Sequence, residues 1–435
     1  MIDLSKSLGE TMSICVISPL PLFPNSSGAT ARIVHIIKYF LSQKHEVLLV
    51  LPYIYRGTKK DYDNLSSYGK FEFLSLFLPS AASPSEENIS EKWTILRKLR
   101  YLLPFNIMLF SPARMAKLYL KIKRRKPRVI LAEFDGSWLV GFMLKKLFRL
   151  PLIIDKHNIE TILYFRILKQ KGRSFSLTEN LKLRFLWWME RLVWYKSDAT
   201  VLVSKHDKNV AERLLGPKKF VVVVPNGVDF GDIRVSREEC RKVRRWLQIS
   251  ANDKIIVFHG LATYPPNEDA RRRIIYRILP MVRNRAQKEN IYAVIVGPGN
   301  APPNRIIKRD HIRLVGEVTR SHLYAILSSS DVAVVPQRAG SGTRIKILEY
   351  FITKVPVVAT SIAAEGLPAK DGIDLLIRNG DEESSRAITQ ILSDQHLRKK
   401  LTDNAYKLAK EKFDWNIILK NLRALAFDTP FNNCD

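Results

Sequence analysis

Cysteine is scarce in this 435-residue sequence, which contains only Cys15, Cys240 and Cys434. Their spacing forms neither a disulfide framework nor a metal-binding motif, so we expect a reducing, cytoplasmic setting. Long apolar runs are also missing. No window reaches the roughly 18 consecutive apolar residues of a transmembrane helix, so no membrane span is expected. The first residues, MIDLSKSLGETM, do not have the pattern of a signal peptide.

Acidic residues are few compared with basic ones. The sequence has 42 Asp and Glu against 71 Lys and Arg, which gives a net charge of +29. Such a balance is typical of proteins that bind nucleic acid, anionic lipid or an anionic small molecule. No helix-turn-helix, RNA-stacking motif or zinc finger accompanies the charge, so no nucleic-acid partner is expected. The hydrophobic content of 46% excludes disorder, and the length predicts two domains.

Bulky apolar residues alternate with basic ones in the segment LKLRFLWWMERLVWYK at 181–196. A helix of this composition suits the interface of an anionic membrane. A buried helix with basic edges would have the same composition, and the sequence favours neither interpretation. The residues concerned are Trp187, Trp188, Trp194 and Tyr195, beside Lys182, Arg184 and Arg191.

Short β-branched runs alternate with helical stretches along the whole chain. Most of them are continuously apolar, as strands buried on both faces of a parallel sheet are. Two series are separated by the turn-forming segment VPNGVDFGDI, which predicts two Rossmann-like α/β domains at 1–226 and 227–411. The predicted strands lie at 13–18, 46–51, 128–132, 151–155, 199–204 and 220–224, then at 254–260, 292–297, 312–316, 331–336 and 355–360.

The stretch GSGTRIKILEYF at 340–351 carries charge of the wrong sign for a helix start. Apolar spacing predicts a helix here, with Thr343 as its N-cap. A helix N-terminus favours acidic residues, yet Arg344 and Lys346 lie in the first turn. Because the glycine turn follows a predicted strand, it should lie where open parallel sheets bind ligands. We predict an anion site made by these two cations and the backbone amides of Gly340, Ser341, Gly342 and Thr343.

Three other residues or pairs follow predicted strands and are candidates for the same site. Glu349 lies one helical turn after the glycine loop, where a carboxylate could accept hydrogen bonds from two sugar hydroxyls. A capped surface helix with a Lys346–Glu349 pair is the alternative. Gly260, in FHGLATYPPNEDARR, and Glu365 with Gly366, in ATSIAAEGL, should face the same cleft. An ordinary strand-to-helix turn explains each of these two loops equally well.

His157 follows a predicted strand in IIDKHNIET at 153–161. A histidine there can donate to a phosphate or a sugar hydroxyl, and can change its protonation near about pH 7. A structural histidine is the alternative, and Glu160 is expected to cap the next helix. Ser27 and Gly28 form a small-residue turn that resembles a phosphate loop, although no G-x-G-x-x-G pattern and no P-loop lysine are present.

These motifs together resemble those of the GT-B glycosyltransferases, and more narrowly the retaining group around glycosyltransferase family 4. The resemblance is strongest over 225–378, in VPNGVD, GSGTRIKILEY, KVPVVATSIAAEGL and DGIDLLI, and KHEVLLV and the final FDW segment extend it along most of the chain. It implies two Rossmann-like domains that face a cleft, with a C-terminal helix at 412–435 that crosses back to the first domain. The first domain would hold the acceptor and the second a nucleotide-sugar donor.

Many members of the family have two glutamates separated by seven residues. The resemblance implies that Glu349 is the second, which binds the nucleotide ribose. The first would be residue 341, where this chain has Ser341, as in a related GSGTR subgroup that also lacks it. The basic pair that many relatives have at 260–266 is missing as well. We therefore expect Arg344 and Lys346 to supply the charge at the diphosphate, with His157 contacting the donor from the opposite domain.

The predicted function is retaining transfer of a sugar from a nucleoside diphosphate sugar, such as a UDP-sugar, to an acceptor hydroxyl. It would belong to the biosynthesis of cell-surface polysaccharide or glycolipid. The acceptor would be a sugar, a glycoside or a lipid-linked sugar, met at the cytoplasmic face of an anionic membrane. No cofactor and no metal are expected, since side-chain cations serve the diphosphate. An inactive GT-B homologue and a sugar-nucleotide epimerase or phosphorylase on the same scaffold are the alternatives.

Overall fold

Two seven-stranded sheets form the framework of the protein. The computed structural model describes residues 11–20, 22–23, 28–51, 62–76, 112–231, 233, 235–286 and 290–419. No helix in these residues is long and apolar enough to cross a membrane.

The first sheet has the strand order β3-β2-β1-β4-β5-β6-β7, and its strands pair in parallel. The strands are β1 Ser13–Ile17, β2 Glu46–Leu51, β3 Phe71–Ser75, β4 Val129–Glu133, β5 Leu152–Lys156, β6 Ala199–Leu202 and β7 Val221–Val223. The helices are α1 Gly28–Ser42, α2 Pro112–Arg125, α3 Trp138–Phe148, α4 Glu160–Lys169, α5 Leu177–Lys196 and α6 Lys205–Leu215, with short 3-10 turns at Asn64–Tyr68 and Asp135–Ser137.

The second sheet has the order β10-β11-β9-β8-β12-β13-β14 and is parallel except for the antiparallel pair β10–β11. Its strands are β8 Lys254–His259, β9 Ile291–Val296, β10 Ile306–Arg309, β11 Ile312–Val315, β12 Val332–Val335, β13 Val357–Ala359 and β14 Leu376–Ile377. Its helices are α7 Arg237–Leu247, α8 Pro265–Arg273, α9 Leu279–Arg285, α10 Arg320–Ser328, α11 Ile345–Ile352, α12 Ser361–Ala364, α13 Asp381–Ser393 and α14 Gln395–Lys412, with a π-helical turn at Ile274–Ile278.

The continuous apolar runs of the sequence correspond to the strand interiors. In β1, Ile14 and Val16 pack on the side of α1, while Cys15 and Ile17 pack on the side of α2 and α3. Both faces of the strand are therefore covered, which is why its sequence does not alternate. Each of the eleven predicted strands is present.

Three strands were not predicted, namely β3, β10 and β14, and each is an outer strand of its sheet. Residues 307–309 of β10 are exposed, most of β3 is half-buried, and β14 has only two residues. An outer strand is covered on fewer sides and needs no continuous apolar run, so the pattern used for prediction is missing there.

The chain passes between the domains twice, and the two passages lie side by side. Val228 N donates to Phe413 O at 2.8 Å, just before residues 415–419 form a helical turn. Trp415 is buried in the core of the first domain, where its ring stacks on His35 with the centroids 4.8 Å apart. The predicted two-domain architecture with a returning C-terminal helix is thus confirmed. The predicted part of that helix from 420 onward lies outside the described residues.

Candidate functional site

The glycine loop joins the carboxyl end of β12 to α11 and meets the end of β5 from the other domain. Gly342 has a φ of 72°, and a Cβ built on it would lie 2.1 Å from the carbonyl oxygen of His157. A side chain at this position would therefore collide with backbone as well as strain the turn. Glycine is what allows the two domains to touch here.

Polar groups of the first domain form hydrogen bonds with this loop. Ile159 N donates to Ser341 Oγ at 2.8 Å, and Arg166 Nη1 donates to Gly340 O at 2.7 Å. Asn158 lies beside them, and its amide satisfies its neighbours when its nitrogen donates to Ser341 O at 2.7 Å. Ser341 is thus engaged through both its hydroxyl and its carbonyl.

Two expectations about the loop are wrong because its polar groups are used across the cleft. Thr343 does not cap α11, whose N-cap position is held by Arg344. The Thr343 hydroxyl instead accepts from Asn226 Nδ2 at 2.7 Å. The Gly342 amide, which we expected to face an anion, donates to Asp207 Oδ1 at 3.1 Å. A protein carboxylate already satisfies that amide.

The two cations remain without an acidic partner among the described residues. Arg344 donates through Nη1 to the carbonyls of Ser341 and Gly342, at 2.6 and 3.0 Å, while its Nη2 is buried without a hydrogen-bond partner in the described residues. Lys346 Nζ donates to Asn267 Oδ1 at 2.8 Å. Burial, helped by the charge of Arg344, lowers the pKa of Lys346 to about 7. Neither cation is therefore neutralised by an ion pair within the described part of the chain.

Gly260 directly follows β8 and lies beside Lys346. Its φ is 149°, and a Cβ there would lie 2.6 Å from Asn267 Nδ2 and 2.9 Å from Lys346 Nζ. Because glycine has no side chain, Lys346 has room to bind the side-chain amide of Asn267. The structure therefore brings Gly260, Arg344 and Lys346 together, as the sequence predicted.

Glu349 is buried one turn further along α11. Its carboxylate oxygens lie 3.3 Å from His259 Nε2 and 3.7 Å from Arg320 Nη2. Burial raises the pKa of Glu349, against the charges of Arg320 and Lys346. Burial also lowers the pKa of His259 to about 3, so this histidine is neutral. Glu349 therefore faces Arg320 across a short gap, and Lys346 instead contacts Asn267.

Glu365 and Gly366 also border the glycine loop. Arg166 binds Glu365 in a bidentate ion pair, with N–O distances of 2.6 and 2.9 Å. A Cβ on Gly366 would lie 2.8 Å from Thr343 Cγ2. The predicted carboxylate is thus in the cleft, but its charge is neutralised by the first domain.

His157 lies behind the loop. Its Nε2 is 2.9 Å from Glu133 Oε2, and its ring stacks on Phe134 with the centroids 3.9 Å apart. Burial lowers the pKa of His157 to about 3. The expected change of protonation near neutral pH is wrong for this reason, and the ring acts as a neutral group.

Glu133, Asp155 and His157 place their ligand atoms within 4.8 Å of one another, close enough to hold a metal ion. Both oxygens of Asp155, however, accept from the Arg32 guanidinium, at 2.9 and 3.0 Å. A guanidinium at hydrogen-bond distance repels a metal cation. These residues therefore do not fit a metal and instead form a buried ion-pair cluster.

Arg32 is a buried residue beside the site that the sequence analysis did not identify. Besides Asp155, it binds the interdomain linker, since its Nη1 donates to Val224 O and Pro225 O at 2.9 and 3.0 Å. One signal was available in the sequence. Arg32 precedes Ile36 and Phe40 at helical spacing, so it is a charge on the apolar face of α1.

Ser27 lies outside the described residues, so its predicted role stays a prediction. Gly28 begins α1, and a Cβ on it would lie 2.5 Å from Cδ1 of Ile345, the first residue of α11. The turn that resembles a phosphate loop therefore ends beside the same helix start as the two cations.

Two family models match the chain, one on each domain. Residues 26–231 match the model described as Glycosyltransferase Family 4, and residues 253–394 match the one described as Glycosyl transferases group 1. The first match ends at residue 231, inside the segment VPNGVDFGDI, and the second begins at residue 253.

Curated proteins with similar sequences are named as glycosyltransferases. An uncharacterized glycosyltransferase of Methanocaldococcus jannaschii is 28% identical over 294 residues, which are 65% of this chain and 70% of that protein. Chitobiosyldiphosphodolichol beta-mannosyltransferase of Candida albicans is 22% identical over 297 residues, which are 64% of this chain and 63% of that protein.

A solved structure has a similar fold. HepE of Anabaena, determined in complex with UDP and glucose, superposes with a TM-score of 0.66 at 16% identity. The superposition covers 96% of this chain and 100% of HepE. At this identity the likeness shows the GT-B fold alone.

The close approach at Gly342 predicts a specific effect of Gly342→Ala. Gly372 is the matched control, because its φ of 71° is nearly the same and a Cβ there would meet nothing within 4 Å. Because both positions have a left-handed backbone conformation, each alanine substitution should lower the free energy of unfolding by about 1–2 kcal/mol. Only Gly342→Ala should also lose protection from hydrogen exchange at the amides of Ile159 and Gly342. Equal stability and equal exchange in the two variants would contradict this interpretation of the contact.

Proposed function

We propose that this chain, which has the GT-B fold and matches two glycosyltransferase family models, transfers a sugar from a nucleoside diphosphate sugar to an acceptor hydroxyl, with retention. The observation that carries this proposal is the pair Arg344 and Lys346, which have no acidic partner in the described part of the chain. A diphosphate would supply the missing negative charge. The resemblance to the retaining group around glycosyltransferase family 4 supports the stereochemistry.

Negative charge grows on the leaving diphosphate as the bond to the anomeric carbon breaks. The free Nη2 of Arg344 and the Nζ of Lys346 are fixed near one strand end, so little reorganisation is needed to meet that charge. They would bind the transition state more strongly than the bound donor. A leaving phosphate oxygen accepts the proton of the acceptor hydroxyl, and no side chain acts as nucleophile. No cofactor enters this scheme.

Two further residues complete the donor site in this proposal. Glu349 accepts hydrogen bonds from the ribose hydroxyls, which stabilise its charge where burial otherwise raises its pKa. His157 is a neutral hydrogen-bonding partner of the donor from the first domain. UDP is the first nucleotide to test, since the structural relative HepE was determined with UDP and glucose.

We propose a lipid-linked acceptor, held where the first domain exposes apolar and basic residues together. Exposed apolar residues follow one face of α5 at intervals of four and seven, namely Leu177, Leu181, Trp188 and Tyr195. Trp194, by contrast, is fully buried, so α5 is an inward-packed helix with an apolar outer stripe. The Candida albicans relative is named for a diphosphodolichol-linked acceptor.

A groove of about 520 Å³ between α2 and α3 extends the apolar surface of this domain, and residues such as Tyr119, Phe142 and Met143 line it. The lining also includes the basic residue Lys146. Apolar side chains that penetrate a bilayer and cations that meet anionic headgroups reinforce each other. We therefore propose that the protein works at the cytoplasmic face of an anionic membrane.

Binding of sugar nucleotides tests the proposed function directly. In a thermal-shift panel of UDP-, GDP- and ADP-sugars, at least one should raise the melting temperature. Arg344→Ala should weaken the binding of that sugar nucleotide by about 1.5–3 kcal/mol. Calorimetry should show this as a Kd that is roughly tenfold to a hundredfold higher. Arg386→Ala, which removes an exposed arginine from α13, is the control. Unchanged affinity in Arg344→Ala would refute the diphosphate assignment. Product analysis separates transfer from epimerisation.

The lowered pKa of Lys346 predicts proton uptake when the donor binds. The free lysine, with a pKa of about 7, is largely neutral at about pH 8, and a diphosphate favours its charged form. Donor affinity should therefore fall as pH rises from about 6.5 to 9. Calorimetry in buffers of different ionisation enthalpy measures the number of protons taken up. Lys346→Met should abolish this uptake, and the control Lys354→Met should leave it unchanged. Uptake that persists in Lys346→Met would assign the proton elsewhere.

Flotation with liposomes tests the membrane contact. The protein should float with vesicles that contain anionic lipid at low salt, and binding should weaken as salt screens the charges. Leu181→Ser with Trp188→Ser should reduce flotation. Tyr276→Ser is the control, because this tyrosine is 69% exposed on the second domain. Wild-type protein that stays in the soluble fraction with anionic vesicles at low salt would exclude this contact.

A further inference from the structure

Glu160 is a half-buried carboxylate in the cleft whose position suggests a role that the proposed function does not assign. It begins α4, and the residue before it donates its backbone amide to Ser341 Oγ across the cleft. In the described residues Glu160 has no ion-pair partner. A carboxylate kept away from bulk water without a cation is costly unless a ligand meets it.

The expected role of Glu160 as a helix cap is wrong. The backbone amides of Glu160 and Thr161 each donate, at 3.0 Å, to one oxygen of Glu190. Glu190 comes from α5 and is itself paired with Lys156 at 2.8 Å. Since another carboxylate occupies the N-terminus of α4, the side chain of Glu160 is not needed there.

The neighbouring amide leaves Glu160 without a strong donor. Asn158 Nδ2 can reach Glu160 Oε1 only at 3.4 Å. With the nitrogen turned to the carbonyls of Ser341 and His157, at 2.7 and 3.1 Å, the Asn158 oxygen faces Glu160 instead. The second orientation makes two shorter hydrogen bonds and is therefore favoured.

The other carboxylates around the glycine loop are already engaged. Glu365 is held by Arg166, and Asp207 accepts from the Gly342 amide and the Ser204 hydroxyl. Glu349 faces Arg320 and His259, and the proposed function already assigns it to the ribose. Among the described residues, Glu160 is therefore the carboxylate near this loop that is neither held by the protein nor assigned to the nucleotide.

Tyr264 relates the position of Glu160 to that of Arg344. The charges of both residues act on its phenol, although burial is the main reason that the pKa of Tyr264 is raised. Arg344 and Glu160 are therefore both close to this tyrosine. A sugar attached to a diphosphate bound at Arg344 would extend into the same part of the cleft as Glu160.

We propose that Glu160 binds hydroxyl groups of the donor sugar and so helps to determine which sugar is accepted, an inference that rests on the function proposed above. Two adjacent hydroxyls can donate to the two oxygens of one carboxylate. Ser341 stands where many members of the family have the first of their two glutamates. Its hydroxyl accepts from the Ile159 amide, and it has no carboxylate to bind a sugar.

The electrostatics of Glu160 agree with this role. Burial, together with the charges of Asp135 and Glu190, raises the pKa of Glu160 to about 7, and Lys156 acts against this. Hydroxyl donors stabilise the ionised form and so oppose the effect of burial. The binding of a sugar would thus satisfy a group that the free protein leaves poorly solvated.

The test compares a sugar nucleotide with its nucleotide diphosphate in matched variants. Calorimetry would measure the Kd of UDP-glucose, or of whichever sugar nucleotide the panel identifies, and of the free diphosphate. Glu160→Gln and Glu160→Ala should each lower the affinity for the sugar nucleotide about tenfold and leave the affinity for the free diphosphate unchanged. Glu349→Gln should weaken both. Glu212→Gln, on the neighbouring helix α6, should change neither.

The outcomes separate this inference from the function on which it rests. If Glu160→Gln and Glu160→Ala both keep the wild-type affinity for each ligand, the role of Glu160 is overturned and the donor site stands. If both ligands weaken equally, Glu160 contributes to structure and not to sugar recognition. If the wild-type protein binds no sugar nucleotide, the proposed function fails together with this inference. Thermal unfolding without ligand verifies that each variant is folded.

Discussion

The buried guanidinium of Arg32 is the contact on which the geometry of the cleft depends. A charge removed from water costs several kcal/mol unless its donors are paired. Here the partners come from two places, the carboxylate of Asp155 at the end of β5 and the carbonyls of the linker at 224–225. The same guanidinium reaches Asn226 Oδ1, and Asn226 Nδ2 donates to Thr343. One side chain therefore connects the first core, the linker and the glycine loop.

The loop at 340–344 is held by the first domain in a way that leaves positive charge in the cleft. Asp207 satisfies the amide of Gly342, and Arg166 neutralises Glu365. Arg344 and Lys346 receive no such partner in the described residues, and burial lowers the pKa of each. Two buried cations without an ion-pair partner are energetically unfavourable in the free protein. Such an arrangement is typical of a site that binds an anion.

Sequence reasoning located the fold and the loop because both depend on local pattern. Apolar runs mark strands covered on both faces, and glycines beside cations mark a strand end of unusual charge. The partners of that loop were not predictable in the same way. Arg32 and Asp155 are 123 positions apart, and Gly342 and Asp207 are 135 apart. The first pair meets only when the first domain has folded, and the second only when both domains have. A single sequence has no period that reports either contact. The mistaken N-cap has the same cause, since the Thr343 hydroxyl was used by a residue 117 positions away.

The serine at 341 follows from the closeness of the domains. Its side chain is 4% exposed, and its hydroxyl is the acceptor for the Ile159 amide. A longer acidic side chain would have to fit against the backbone of His157 and Ile159, next to the buried carboxyl of Asp207. Burial already raises the pKa of that carboxyl. A second acid beside it would be more costly still. If the donor sugar is to be recognised by a carboxylate, the facing wall of the cleft has to provide it. Helix α4 begins on that wall, directly after the amide that Ser341 accepts, and its first residue is Glu160.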